Sequence, residues 1–397
     1  MRPTLHVDFL APEGDYQAWL ARVLGTPGAP HVAFGDAVTF QRHRERHLLV
    51  IFPAITKLPW QHQGYRFIPD TFSADGGSMR VPPARRPVGP AYGFPYTLSV
   101  DAWLANEVVL QTAGTPMPNQ TLTWNDVVDV AKRTTDPARG QWGLLASNSP
   151  EYFWIPLLYG NGIPCPFSED RRQTAWLVEG DAASEAFSWA VELIYDFRVA
   201  PPHGEYPALA RDSGDPFSGG HISLWPSGAL QASGLLVPRI GDRFGWTVLP
   251  SPLSPRTGDA AHAWQMQAHF VTSQASTDGM AEAATACAAH FADEIVQAMI
   301  VEHCGALLVL HRVESLSVAL KPPHNNLTVL HLELDNPRNR HLFVWFPAWP
   351  EWMQSQVRAA ASAFAGEAAL IEMARAGDLV LAAQRQDAAQ APPSPPG

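Results

Sequence analysis

Residues 91–136 read AYGFPYTLSVDAWLANEVVLQTAGTPMPNQTLTWNDVVDVAKRTTD, and the class of the fold is decided here. Residues 102–106 form a short β-type run. Further on, Thr123 with Asp126 three positions later spells a capping box, and Trp124, Val127, Val128 and Ala131 then fall on one face of the helix it starts. A strand and an amphipathic helix each have an apolar face to bury, and together they are the repeating unit of a sheet covered by helices.

The same alternation extends outward in both directions. Further strand candidates lie at residues 5–10, 31–34, 142–147, 221–225 and 246–249. A second helix starts near Ala183, with Phe187, Ala190, Val191 and Ile194 at helical spacing, and Pro201 and Pro202 are expected to stop it. A third, alanine-rich helix is expected within residues 280–303. The pattern predicts an α/β protein with a largely parallel sheet. Residues 52–96, rich in Pro, Gly and aromatics without a clean period, read as a long irregular surface segment. The closing APPSPPG can neither continue a helix nor bury a large side chain, so 389–397 reads as a disordered tail.

Composition narrows the function classes. With 397 residues, 46% apolar and 16% charged, the chain can bury a sizeable core and is long enough for two domains. A formal net charge of -11 argues against a nucleic-acid partner, whose phosphates demand a basic face. No apolar stretch is long enough to cross a membrane, and the opening MRPTLHVDFLAPEG has neither the apolar core nor the cleavage site of a leader peptide. Cys165, Cys287 and Cys304 are odd in number and form no C-x-x-C pair, so neither a disulfide framework nor a zinc knuckle is indicated.

Two constellations could carry chemistry. His43 and His47 in QRHRERHLL are four apart, the spacing at which two helical imidazoles can share a metal, but Arg44 and Arg46 would repel the cation and favour a solvated surface instead. There is no G-x-S-x-G, no P-loop and no G-x-G-x-x-G after a strand, so neither a catalytic motif nor a cofactor motif is present. The other constellation is aromatic: Trp154, Trp225, Trp264, Trp345, Trp349 and Trp352 recur beside turn-forming residues. A sugar ring has apolar faces and a hydroxyl rim, so flat rings can hold the faces while amides and carboxylates meet the rim. Asp36, Asn106, Glu151, Asn161 and Gln265 supply such groups, although any single Trp is more often core than ligand contact.

From about residue 31 to 380 the order of motifs resembles that of the sugar-type solute-binding proteins of bacterial ABC importers, the family of maltose-binding protein. The resemblance rests on HVAFGDAVTF, on the stretch 91–136, and then on WIPLLYGNG, DPFSGGHISLWPSGAL, GWTVLPSP, FVTSQAS and FPAWPEW in that order. It implies a two-lobed periplasmic-binding-protein-like fold with a ligand cleft between the lobes. The first lobe would be residues 1–98 plus 250–318, and the second 99–249 plus 319–388. Carried over position by position, the cleft residues would be Asp36, Tyr96, Trp154, Asn161, Ser227, Gly228, Trp264 and Trp349, and Trp225 and Gln265 join them as sequence neighbours. Ala229 and Leu230 stand where many relatives carry a Trp, so one stacking platform is missing unless Trp225 replaces it. The opening LHVDFLAPEGDYQAWLARVL reads as the family's first strand and helix shortened, or as its second strand with the segment after it.

The implied function is binding of a carbohydrate or related solute and its delivery to ABC permease subunits, by a monomer with no cofactor and no metal, outside the cytoplasm and in some relatives on a lipid anchor. A sensor or receptor module on the same fold, or a sugar-active enzyme, are the alternatives. The scarcity of Lys and Arg, 27 in all, disfavours a phosphorylated ligand.

Overall fold

The computed structural model describes residues 6–36, 39, 43, 48–49, 93–118, 121–147, 150–163, 180–228, 239–291, 293–304, 329, 340–341, 349–364, 372 and 375–383. In chain order the elements are α1 (Tyr16–Val23), β1 (Val32–Gly35), β2 (Gly93–Asn106), α2 (Glu107–Thr112), α3 (Trp124–Thr134), β3 (Trp142–Leu144), α4 (Ile155–Gly160), α5 (Gly180–Tyr195), α6 (Tyr206–Leu209), β4 (Ile222–Gly228), β5 (Trp246–Leu249), β6 (Ala263–Val271), α7 (Ser273–Thr277), α8 (Ala281–His290), α9 (Glu294–Cys304), β7 (Arg340–His341) and α10 (Trp349–Phe364). Two compact units divide the chain: Met1–Ser99, Gln265–Ala319 and Phe343–Pro347 make the first, and Val100–Trp264, Leu320–Leu342 and Ala348–Gly397 the second. The chain passes from one unit to the other inside β2 and again inside β6.

In the second unit β2 is central, antiparallel to β4 through Asp101↔Gly228 to Ala105↔Leu224 and antiparallel to β5 through Trp103↔Leu249 to Asn106↔Trp246. Ala102, Trp103, Leu104, Ala105 and Asn106 are all buried, whichever way they point, so both faces of β2 are covered here. β3 joins β4 in parallel. α3 lies on this sheet with Trp124, Val127, Val128, Ala131 and Thr134 buried, and both halves of its capping box form: Asp126 N–H to Thr123 Oγ1 at 3.2 Å and Thr123 N–H to Asp126 Oδ2 at 2.8 Å. Helix and strand meet so closely that a Cβ on Gly143 would lie 2.1 Å from the Ala131 carbonyl oxygen, so only glycine fits there.

In the first unit β1 runs antiparallel to β6, from Val32↔Val271 to Gly35↔Ala268. Behind it Asp15 caps α1 by accepting from Ala18 N at 2.8 Å, and Leu20, Leu24, Ala29 and Ala33 form a small core with Tyr16, Trp19 and Leu48 against it.

Several expectations are corrected. Of the described ladders, three are antiparallel and two parallel, because the long crossing strand β2 runs against both its second-unit neighbours and β6 runs against β1. The sheet is mixed, not largely parallel. Residues 6–10 form no strand: Phe9 is 83% and Leu10 58% exposed, so their apolar alternation finds no surface to cover. The alanine-rich region is two helices, α8 ending at His290 and α9 starting at Glu294, and the Asp293 carboxylate turns back to His290 Nδ1 at 2.6 Å. α5 ends at Tyr195, ahead of Pro201, through a reversal at Arg198 with φ 53°. Residues 250–264 group with the second unit, held there by Ser254 Oγ to Asn161 Oδ1 at 2.5 Å and Thr257 Oγ1 to the Gly160 carbonyl at 2.6 Å. Residues 93–96, expected to be irregular, open β2. Residues 52–92 and the tail 389–397 lie outside the described residues.

Candidate functional site

Strand geometry in the first unit gathers one end of three neighbouring strands. Phe34 on β1 pairs with His269 on β6, and Asp36 comes one residue past the last ladder pair, level with Gln267. Tyr96 on β2 reaches across to β6, where its hydroxyl donates to Gln267 Oε1 at 2.6 Å. The rings form a continuous path: Tyr16 stacks on Phe34 (4.3 Å, 14°), Phe34 meets Tyr96 edge to face (6.5 Å, 86°), Tyr96 lies against His269 (4.2 Å), and His269 stacks on Phe291 (4.0 Å, 17°). Phe34 remains 40% exposed and Gln267 is exposed, while Asp36 and Tyr96 are half-buried.

Each polar group on this face is held. Asp36 Oδ1 accepts from the Thr39 N–H at 2.9 Å and lies 2.9 Å from the Thr39 hydroxyl, which also reaches Gln17 Oε1 at 2.8 Å. This fold-back requires Gly35, since a Cβ there would come within 2.7 Å of the Thr39 side chain. The Tyr16 hydroxyl bonds the backbone of Phe34, and burial raises its pKa against the opposing effect of that bond, so it stays a neutral phenol. Burial also pushes His269 down to about 3, and its Nδ1 has no hydrogen-bond partner among the described residues. At neutral pH His269 is therefore an uncharged flat ring, and the whole face suits a solute with apolar faces and a polar rim.

The sequence-selected residues scatter. Asp36 and Tyr96 belong to this face. Trp154, 1% exposed and edge-on to Phe187 at 6.2 Å, is core of the second unit. Asn161 is 0% exposed, and its amide is spent on Ala182 O (2.6 Å), Glu185 (3.2 Å) and Ser254. It fastens a loop, and the hydrogen bond it gives Glu185 is the first cause of that carboxylate's lowered pKa, with Arg256 second. Asn106 is buried as the cap of α2. Trp225 is half-buried against Phe217 at 5.5 Å. Ser227, Gly228, Trp264, Gln265 and Trp349 lie on β4, β6 and the first turn of α10, with only their backbone described, while Trp345 lies outside the described residues.

Sequence reasoning missed Phe34, Tyr16, His269 and Gln267. For the three on strands the signal was period two: Phe34 lies two before Asp36, and Gln267 and His269 two and four after Gln265, whereas Tyr16, on helix α1, carried none.

Two chemically suggestive groups resolve differently. His43 is 4% exposed, so it is no solvated surface residue; His47 lies outside the described residues, and no metal-ligating cluster occurs among the described ones. Ser251 and His262 form a buried pair beside a small pocket lined by Trp103, Trp124 and Phe153. His262 Nε2 accepts the Ser251 backbone N–H at 3.3 Å, which puts the ring proton on Nδ1, the nitrogen facing Ser251 Oγ at 3.3 Å. A nitrogen already protonated cannot take the serine proton, so the pair is a structural staple rather than a nucleophile and its base.

No family model matches the sequence, and no curated protein matches it. Solved structures do match in fold. The sugar-binding protein MalE from Xanthomonas citri superposes with a TM-score of 0.76 at 14% identity, covering 98% of this chain and 94% of that one. An ABC substrate-binding protein from Listeria monocytogenes, in complex with cycloalternan, gives 0.73 at 19% identity over 94% of this chain and 89% of its own. The GacH receptor of Streptomyces glaucescens, solved unliganded and with acarbose, gives 0.68 at 18% identity over 95% and 88%. The fold of this chain is the two-domain α/β fold these proteins share.

Proposed function

We propose that this chain binds a carbohydrate or a related small solute outside the cytoplasm and delivers it unchanged to the permease of an ABC importer. The observation that carries the reading is the open ring face of the first unit. Phe34 is 40% exposed and stacked from behind by Tyr16, with exposed Gln267 and half-buried Asp36 and Tyr96 around it. A rigid aromatic plate with a fixed carboxylate and amide nearby is what a pyranose needs, since its C–H faces are apolar and its hydroxyls both donate and accept. The fold supports the same reading through proteins that carry cycloalternan and acarbose.

On this proposal Asp36 and Tyr96 stay in the site, joined by Phe34 and Gln267. Trp225, Ser227, Gly228, Trp264, Gln265 and Trp349 remain proposed contacts from the second unit and the strand that enters it. Trp154 and Asn161 are dropped, because neither has exposed surface to offer. The chain is expected to work as a monomer, without metal or cofactor, and to leave the sugar's bonds intact. Calorimetric titration with maltose, tagatose and acarbose, with chromatography of the recovered sugar afterwards, tests the reading. Saturable binding with intact sugar is expected. Product formation would turn it toward a sugar-active enzyme, and no binding across a wider sugar panel would remove it.

A further inference from the structure

We propose that Gln267 is the residue through which this face selects its solute and that Tyr96 is its positioning residue, an inference that rests on the sugar-binding reading above. A glutamine amide carries two N–H donors and one acceptor oxygen, and on an exposed side chain its end rotates between two orientations that water serves equally well. A phenol hydroxyl can both donate and accept, but the 2.6 Å separation here is that of O–H···O and too short for N–H···O, which makes the choice. The Tyr96 hydroxyl donates to Oε1 at 2.6 Å, and Nε2 of Gln267 has no hydrogen-bond partner among the described residues. The exposed end of the side chain is therefore the donor end.

Tyr96 can impose that choice because it is fixed at three points. Its ring lies against His269 at 4.2 Å and meets Phe34 edge to face. Its carbonyl accepts from Nε2 of Gln297 at 2.7 Å, and Gln297 is 0% exposed and also donates to the Phe291 carbonyl at 3.0 Å. Order thus passes from a buried glutamine on α9, through the backbone and ring of Tyr96, to an exposed glutamine on β6. The result is a pair of fixed N–H donors beside the open Phe34 ring. A solute lying on that ring gains from an acceptor at this edge, a hydroxyl or ether oxygen, and loses from a protonated amine, which brings only donors.

The first test needs no sugar. In the ¹⁵N-labelled full chain, the Gln267 side-chain amide, assigned by its loss in Gln267→Ala, should relax as an ordered group, and in Tyr96→Phe as a mobile one. Unchanged order in Tyr96→Phe overturns the positioning role. The second test uses whichever of maltose, tagatose or acarbose binds. Gln267→Ala is expected to weaken binding about tenfold and Tyr96→Phe about threefold, the range set by one net hydrogen bond. In the Gln267→Ala background, Tyr96→Phe should cost nothing further. Equal losses in both backgrounds would mean that Tyr96 touches the sugar itself or acts only through the fold, and the positioning role falls. A bound sugar that leaves the Gln267 amide resonance unmoved overturns its selecting role. If no sugar binds the unaltered chain, the selecting role falls with the sugar reading, and the first test still decides whether Tyr96 orders Gln267.

Discussion

Two sets of aromatic residues, one from each unit, meet opposite fates. In the second unit Trp103, Trp124, Trp142, Trp154, Trp189 and Trp352 are all at or below 9% exposure, and Trp124 stacks on Trp189 at 4.7 Å. In the first unit Tyr16, Trp19, Phe34 and Tyr96 touch one another yet keep surface open. The buried rings sit on helices (Trp124, Trp189, Trp352), on strands of the second-unit sheet (Trp103, Trp142) and in the turn that leads into α4 (Trp154). The open ones sit where β1 ends and the chain folds back through Asp36 and Thr39, so no element covers them among the described residues. A ring's place in the fold thus decides its fate, and its identity does not.

The sharpest way to break this comparison is to truncate one ring from each set. Trp154→Ala should destabilise the fold by about 3–5 kcal/mol, since it empties a buried site packed against Phe187. Urea melts of the full chain measure this, and a loss under about 1 kcal/mol, far below the cost of emptying a packed site, would return Trp154 to the candidate ligand residues. Phe34→Ala should instead cost sugar affinity, about 1–3 kcal/mol by calorimetry, with a smaller change in stability. Trp349→Ala is expected to behave like Phe34→Ala if the first turn of α10 contributes a stacking ring. A mutant that loses stability and keeps its affinity would place Trp349 with the buried set.

Acid should separate the two regions next. His269 has a folded pKa of about 3 against an ordinary value near 6.5, with burial as the cause. The fold binds the neutral ring, so this stabilisation is complete above pH 6.5 and disappears as the pH falls toward 3. Between about pH 7 and pH 5 the loss is about 2 kcal/mol. His203 in the second unit is lowered in the same direction by burial, with the Ala146 carbonyl opposing, so it adds to the same slope. The gap between denaturant melts at about pH 7 and pH 5 should therefore narrow by about 2 kcal/mol for His269→Phe, which keeps the flat ring and removes that titration while His203 remains. An unchanged slope in that variant would mean that His269 titrates normally and the face is wetter than its packing indicates.

How much of this was legible beforehand depends on the same physics. The start of helix α3 and both ends of strand β5 were readable to the residue because local signals, a capping box and a β-branched run, agree with their burial. The order of motifs resembling the sugar-binding family is matched by the fold. The direction of the strands was not readable, because apolar runs carry no polarity and β2 pairs antiparallel with segments far along the chain. In the site, Asp36 and Tyr96 were found through motif resemblance, whereas Gln267 is polar, exposed and unremarkable until the register of β6 sets it beside Tyr96. Trp154 and Asn161 were chosen for chemistry that a sugar site could use, and packing used that chemistry first.

The smallest expected effect concerns the end of α5, where two prolines were expected to stop the helix and Arg198 does so instead. Its φ of 53° is the left-handed region, which in a residue with a Cβ costs about 1–2 kcal/mol. The turn needs that geometry, because Phe197 N–H bonds the Glu192 carbonyl at 2.8 Å and Val199 N–H the Leu193 carbonyl at 2.9 Å, closing the helix around Arg198. Arg198 is itself exposed. Glycine adopts this conformation without the Cβ clash but loses more freedom on folding, so Arg198→Gly should raise stability by only about 0.5–1 kcal/mol. Arg198→Ala keeps the Cβ and should leave stability unchanged, which separates backbone strain from loss of the arginine's charge. Thermal melts of the two variants decide it: a gain in both points to charge, and a loss in Arg198→Gly means that the arginine side chain holds this turn closed.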